Sequence, residues 1–143
     1  MPFHPFTSVA VALLLLAAAP TFSPDPAPTV ASVEIQTNDS ETAAQLDGRL
    51  PPDLHFENRM GTAEVARLPY QLKVGDAGAV TSYRTGDVAY WEAEQSLVVF
   101  LSDGAGVPKN GVVMLGRVAS NLKTFAECVS DCAIRLTTKD NAP

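Results

Sequence analysis

Ser96-Leu97-Val98-Val99-Phe100-Leu101 is preceded by Gly86-Asp87-Val88-Ala89-Tyr90-Trp91 and followed by Val112-Val113-Met114-Leu115-Gly116-Arg117-Val118. These three runs, rich in Val, Phe and Tyr, are too short for helices and too apolar for strands with one wet face. They read as consecutive strands covered on both faces, which calls for a closed or strongly curled sheet. Glu92-Ala93-Glu94-Gln95 makes a tight acidic turn between the first two runs. Residues 103–111, with three glycines and a proline, form a longer exposed loop before the third.

Working outward, Ser32-Val33-Glu34-Ile35-Gln36-Thr37 alternates apolar and polar side chains and suits a half-buried strand. Asn38-Asp39-Ser40 then offers capping side chains, and Ala43, Leu46 and Leu50 fall on one face of a short helix over 41–49. Pro51-Pro52 ends it, because neither residue donates the backbone bond that a continuing helix needs. Residues 53–57 alternate as another strand, with 58–62 as a turn and 64–68 as its hairpin partner. The glycine-rich stretch 73–79 does not join a strand to a long helix, so it is a plain loop and not a phosphate cradle. After Val118, Ser120 is placed to cap a second helix whose core stripe is Leu122, Phe125, Ala126 and Val129. Residues 133–137 return as a terminal strand.

This order predicts a mainly β domain with two short helices: a small closed barrel plugged at its ends by the helices. The chain resembles the small prokaryotic cyclophilin-like family. The resemblance rests on the order strand, helix ending in Leu50-Pro51, strand, Gly86-Asp87 turn, core strands, an apolar-Gly-basic-Val strand at 115–118, late helix and last strand. It implies a cyclophilin-like β-barrel over 33–138, with 139–143 as a tail. Relatives open with a two-strand hairpin. Here only the strand ending at Thr37 is clear, so the first strand is either drawn from residues 27–30 or missing.

The N-terminal 31 residues look like export machinery. Residues 9–19 are an uninterrupted apolar run of the length of a signal-peptide core, too short for a stable membrane span. Residues 1–19 therefore read as a signal peptide, with cleavage as late as 31. An uncleaved anchor is the alternative, since the segment before the run has no Lys or Arg. Residues 20–32 carry four prolines and read as an extended linker. The expected location is secreted or periplasmic, with no stable membrane span once the signal is removed. In that compartment Cys128 and Cys132, the only two cysteines, are expected to pair as a disulfide. A formal charge of −6 lacks the footprint of a nucleic-acid binder.

The chemistry is sparse. Of the two histidines only His55 lies outside the export segment, and two cysteines without further partners do not make a metal site, so no metal or cofactor is expected. No nucleophile elbow or His-Glu-x-x-His pair occurs. Prolyl isomerisation, the activity the resemblance implies, needs an apolar pocket and a cation beside the prolyl nitrogen. Active cyclophilins carry a Phe-His-Arg stretch and a Phe-Met-x-Gln-Gly-Gly-Asp-Phe stretch, and neither is present here. Arg59 and Arg67 lie in the right part of the chain but outside any matching pattern, and Lys109-Asn110-Gly111 stands where a histidine belongs. The reading is therefore a binding module for a small molecule or extended peptide on the outer groove of the barrel, without efficient catalysis. The alternative is a peptidyl-prolyl isomerase with a non-standard active site. The expected lining residues are Phe56, Arg67, Tyr70, Tyr90 and Trp91, with Phe100 as a further candidate more at home in the core.

Overall fold

The computed structural model describes residues 30–75, 78–106 and 108–139. The expected signal peptide and residues 20–29 of the expected linker lie outside the described residues, as does most of the tail; Ala31 and Ser32, expected in the linker, instead open the first strand. Seven strands close into a barrel: β1 (Ala31–Thr37), β2 (Leu54–Arg59), β3 (Ala63–Arg67), β5 (Asp87–Trp91), β6 (Ser96–Phe100), β8 (Val113–Ser120) and β9 (Cys132–Thr138). The order around it is β1-β8-β5-β6-β3-β2-β9. All pairs are antiparallel except β1 with β9, which run parallel and close the ring. With β1 hydrogen-bonded to both β8 and β9, the described strands close the ring among themselves; the alternative first strand at 27–30 falls almost wholly outside the described residues.

The helices plug opposite ends. In α1 (Glu41–Asp47) the Ser40 hydroxyl accepts from the Ala43 amide at 3.1 Å, leaving Thr42, Ala43 and Leu46 buried. The Thr42 hydroxyl donates to the carbonyls of Lys73 and Val74, tying α1 to the loop that covers the Tyr90 end of β5. α2 (Leu122–Ala126) lies at the other end of β5, with Leu122 beside Gly86. Its Phe125 ring meets Phe56 edge-on, centroids 5.0 Å apart, inside the barrel.

Two expectations about α2 are corrected. Ser120 remains in β8, and Asn121, with φ +65, opens the helix without a side-chain cap bond. The helix ends at Ala126, so Ala126 and Val129 are exposed, Val129 at 84%, and not part of a core stripe. The loop 103–111 also holds structure the sequence did not announce. Its Gly104–Ala105 (β7) pairs with Ser82–Tyr83 (β4) in a two-stranded ribbon outside the barrel.

The alternation along the central strands divides the apolar residues between two bodies. Val88 and Tyr90, Leu97 and Val99, and Ala66 point into the barrel core. Ala89, Val98 and Phe100, Ala63 and Val65 point outward, where they form a second cluster with Tyr83 and Val112, flanked by Trp91 and Met114. Both faces of β5 and β6 are covered, but by different layers, whereas β8, expected to be covered on both faces, exposes Arg117 and Ala119.

Candidate functional site

The outer cluster is not fully sealed. Over it lies a groove of about 390 Å³, within the range of small-ligand sites. Val65 and Ala63 of β3 and Val98 and Phe100 of β6 make its floor, Tyr83 and Trp91 stand at its sides, and Arg59, Met60, Thr62 and Pro108 form its rim. The floor follows from strand geometry, since side chains two residues apart share a face. The Tyr83 wall comes from the outlying ribbon. Its ring stacks on Phe100, centroids 3.8 Å apart, and lies directly against Gly104, where a Cβ would come within 2.6 Å of the Tyr83 hydroxyl oxygen. The ribbon is fastened by Asp103, which accepts from the Thr85 amide at 2.7 Å and the Thr85 hydroxyl at 2.9 Å. Those bonds, the backbone one foremost, hold the Asp103 carboxyl below its usual value.

The rim is built by the β2–β3 turn. Met60 and Gly61 both take positive φ, +55 and +74, as the central residues of a turn that the Thr62 amide closes on the Arg59 carbonyl, within the three-residue connection between β2 and β3. Arg59 reaches from the end of β2 over the Trp91 ring, 5.9 Å from its centroid, a cation–π distance. Met60 is 98% exposed beside it. The groove is therefore apolar, with one guanidinium at its edge.

Of the residues expected to line this groove, Trp91 does. Phe56 and Tyr90 do not. Each is fully enclosed in the barrel, Phe56 against Phe125 and Tyr90 with its hydroxyl accepting from the Leu72 amide at 3.2 Å. Both occupy inward positions of their strands, which aromatic character alone does not reveal. Tyr70 lies at the barrel end, where the Arg49 guanidinium covers its ring at 4.1 Å and its hydroxyl donates to the Arg49 carbonyl. Burial raises the Tyr70 phenol, against the opposing Arg49 charge. Arg67 is two residues beyond Val65 on the same outer face, but it lines a separate, wetter hollow with His55, Asp53 and Gln95. Phe100 belongs to the groove floor. Arg59, Met60 and Tyr83 were missed as lining residues. The only sequence signal for the rim was the Asn58-to-Thr62 turn itself.

Cys128 and Cys132 stand at disulfide distance, Sγ atoms 2.10 Å and Cα atoms 5.9 Å apart, across the turn between α2 and β9. His55 Nδ1 meets Asp131 Oδ1 of that turn at 3.0 Å. Among the described residues no group of three His, Cys, Asp or Glu side chains is placed to hold a metal ion. Nor is any described helix long and apolar enough to cross a membrane.

These features define a small helix-plugged β-barrel with an aromatic-walled groove on its outside. The chain belongs to the cyclophilin-like family, whose profile matches residues 30–137. No curated protein matches it.

Proposed function

We propose that this domain is an exported binding module that takes an extended peptide or a small apolar molecule in the outer groove and turns over little or nothing. The observation that carries this is the groove itself. A volume of about 390 Å³ with an apolar floor and two aromatic walls suits an apolar side chain or a proline ring. Trp91, the single tryptophan of the chain, lies at its side and reports occupancy directly. Titrating a blocked Xaa-Pro tetrapeptide should change Trp91 emission saturably in the wild type and not in Val65→Glu, which fills the floor with charge. A titration with no saturable change at millimolar peptide would remove this reading.

One observation favours the isomerase as the second reading: Arg59 supplies a cation at the groove edge. Rotation about a prolyl bond has a barrier of roughly 20 kcal/mol, and a donor aimed at the prolyl nitrogen lowers it. Arg59, however, is drawn over the Trp91 face, and each 1.4 kcal/mol of lost transition-state stabilisation is about tenfold in rate. A protease-coupled isomerisation assay should find the wild type near the uncatalysed rate. Efficient turnover abolished by Arg59→Ala, with Arg67→Ala unaffected, would make the domain an isomerase.

Export is supported by the apolar run at 9–19 and by the cysteine pair at disulfide distance. Intact mass of the exported protein should show cleavage between residues 19 and 32. Recovery of the full-length chain with membranes would contradict it.

A further inference from the structure

The least economical residue in the barrel is Glu64. It occupies an inward position of β3, is fully buried, and one carboxylate oxygen, Oε2, has no hydrogen-bond partner. The other, Oε1, accepts from Asn58 Nδ2 at 3.0 Å, directly across the β2–β3 ladder. The charged side chains on the flanking strands are elsewhere. His55, Glu57 and Arg59 take the exposed positions of β2, Arg67 is exposed at the end of β3, and β6 has no titratable residue. A well-packed apolar side chain would usually be at least as stable as a buried carboxylate.

What the carboxylate adds is a fixed Asn58. The same amide uses its Oδ1 to accept from the Gly61 backbone N–H at 2.7 Å, while the Thr62 amide donates to the Arg59 carbonyl at 3.0 Å. Asn58 thus bridges the barrel interior to the Met60-Gly61 turn. That turn needs holding, because Met60 carries a Cβ into the left-handed region, where it crowds the following carbonyl, and its exposed side chain contributes no burial in return.

We propose that Glu64 is a positioning residue for the groove: acting through Asn58, it fixes the turn that sets Arg59 and Met60 at the rim. The effect on ligands rests on the groove reading above, whereas the effect on the turn does not. The test therefore has two readouts on the full protein, amide exchange at Gly61 by NMR and Trp91 titration with a blocked Xaa-Pro tetrapeptide. Glu64→Gln, which keeps an acceptor for Asn58, should retain wild-type exchange at Gly61. Glu64→Leu should speed that exchange about tenfold and weaken peptide binding several-fold, with a thermal midpoint no lower than wild type. Should Glu64→Leu fail to fold, Glu64→Val, which also leaves Asn58 Nδ2 without its acceptor while keeping the Asn58–Gly61 bond possible, must give the same faster exchange. Wild-type exchange at Gly61 in Glu64→Leu, or equal loss in the Gln and Leu variants together with lowered midpoints, overturns the proposal. A wild type that fails to bind peptide but shows the predicted exchange pattern removes the groove reading and leaves the relay standing.

Discussion

At the scale of single residues, burial and close approach decide what each position does. Gly116 shows why the apolar-Gly-basic-Val pattern was informative. A Cβ there would come within 2.0 Å of the Gln36 carbonyl oxygen, where Gly116 pairs with Thr37 of β1, so only glycine lets those strands meet. The signal was readable because steric need at a fixed ladder position forces one residue type. Glu64 gave no such signal, since in Ala-Glu-Val-Ala-Arg a glutamate looks like the polar half of an alternating strand. Its consequence is a pH dependence. Burial raises the Glu64 carboxyl above its usual 4.5, with the Asn58 bond opposing. The folded protein therefore binds this proton more tightly than the unfolded chain. Stability from Glu64 is fully present below about 4.5 and is lost as pH rises through the elevated folded value. The difference in urea midpoint between wild type and Glu64→Gln should shift in favour of the variant as pH rises from 4 to 8. A pH-independent difference would show that Glu64 titrates alike in both states.

At the scale of elements, the barrel strands and α1 were legible because local chemistry and tertiary burial agree, whereas the two-residue strands β4 and β7 were not. Ser40 caps α1, the two prolines follow it, and the residues on its inward face are buried. α2 was legible only in part. Its periodic stripe extends to Val129 in the sequence, but Cys128 turns back toward Cys132, and Asp131 takes φ +43 in the reversal. The reversal that brings these two cysteines to disulfide distance interrupts the helical period, and periodicity carries no trace of it. Closing so short a loop contributes only about 2 kcal/mol in the chain-entropy account, so the pair pins the start of β9 and does not hold the domain together. Thiol titration of the unfolded, unreduced protein should find no free cysteine. The Cys128→Ser, Cys132→Ser double variant should still fold, with a stability lower by about 2 kcal/mol. Two titratable thiols in the protein purified without reductant would contradict the pairing.

At the scale of the whole molecule, three doubly apolar strands announced a closed barrel, and the barrel is there. They did not announce the groove, for the same physical reason. When both faces of a strand are apolar, alternation no longer says which face is the interior, and aromatic residues were assigned to the groove that lie in the core. Val98 and Val99 are neighbours in β6, both nearly fully buried, and indistinguishable by composition. Val99 faces the barrel interior beside Val88 and Tyr90, whereas Val98 faces the groove floor with Phe100 and Val65. A carboxylate at the two sites should therefore have opposite outcomes. In Val99→Asp the charge has no route to water and no partner in the core, a penalty of several kcal/mol against a typical domain stability of about 5–15 kcal/mol. That variant should be unfolded by circular dichroism or recovered only as aggregate. In Val98→Asp the carboxylate reaches solvent through the groove mouth, so the barrel should fold with a thermal midpoint lowered by about 4–8 °C. It should nonetheless lose the saturable Trp91 response to peptide, because a charged floor no longer offers an apolar seat. Equal tolerance at both positions would mean that β6 does not separate a core from a groove, and the site proposed on its outer face would have no floor.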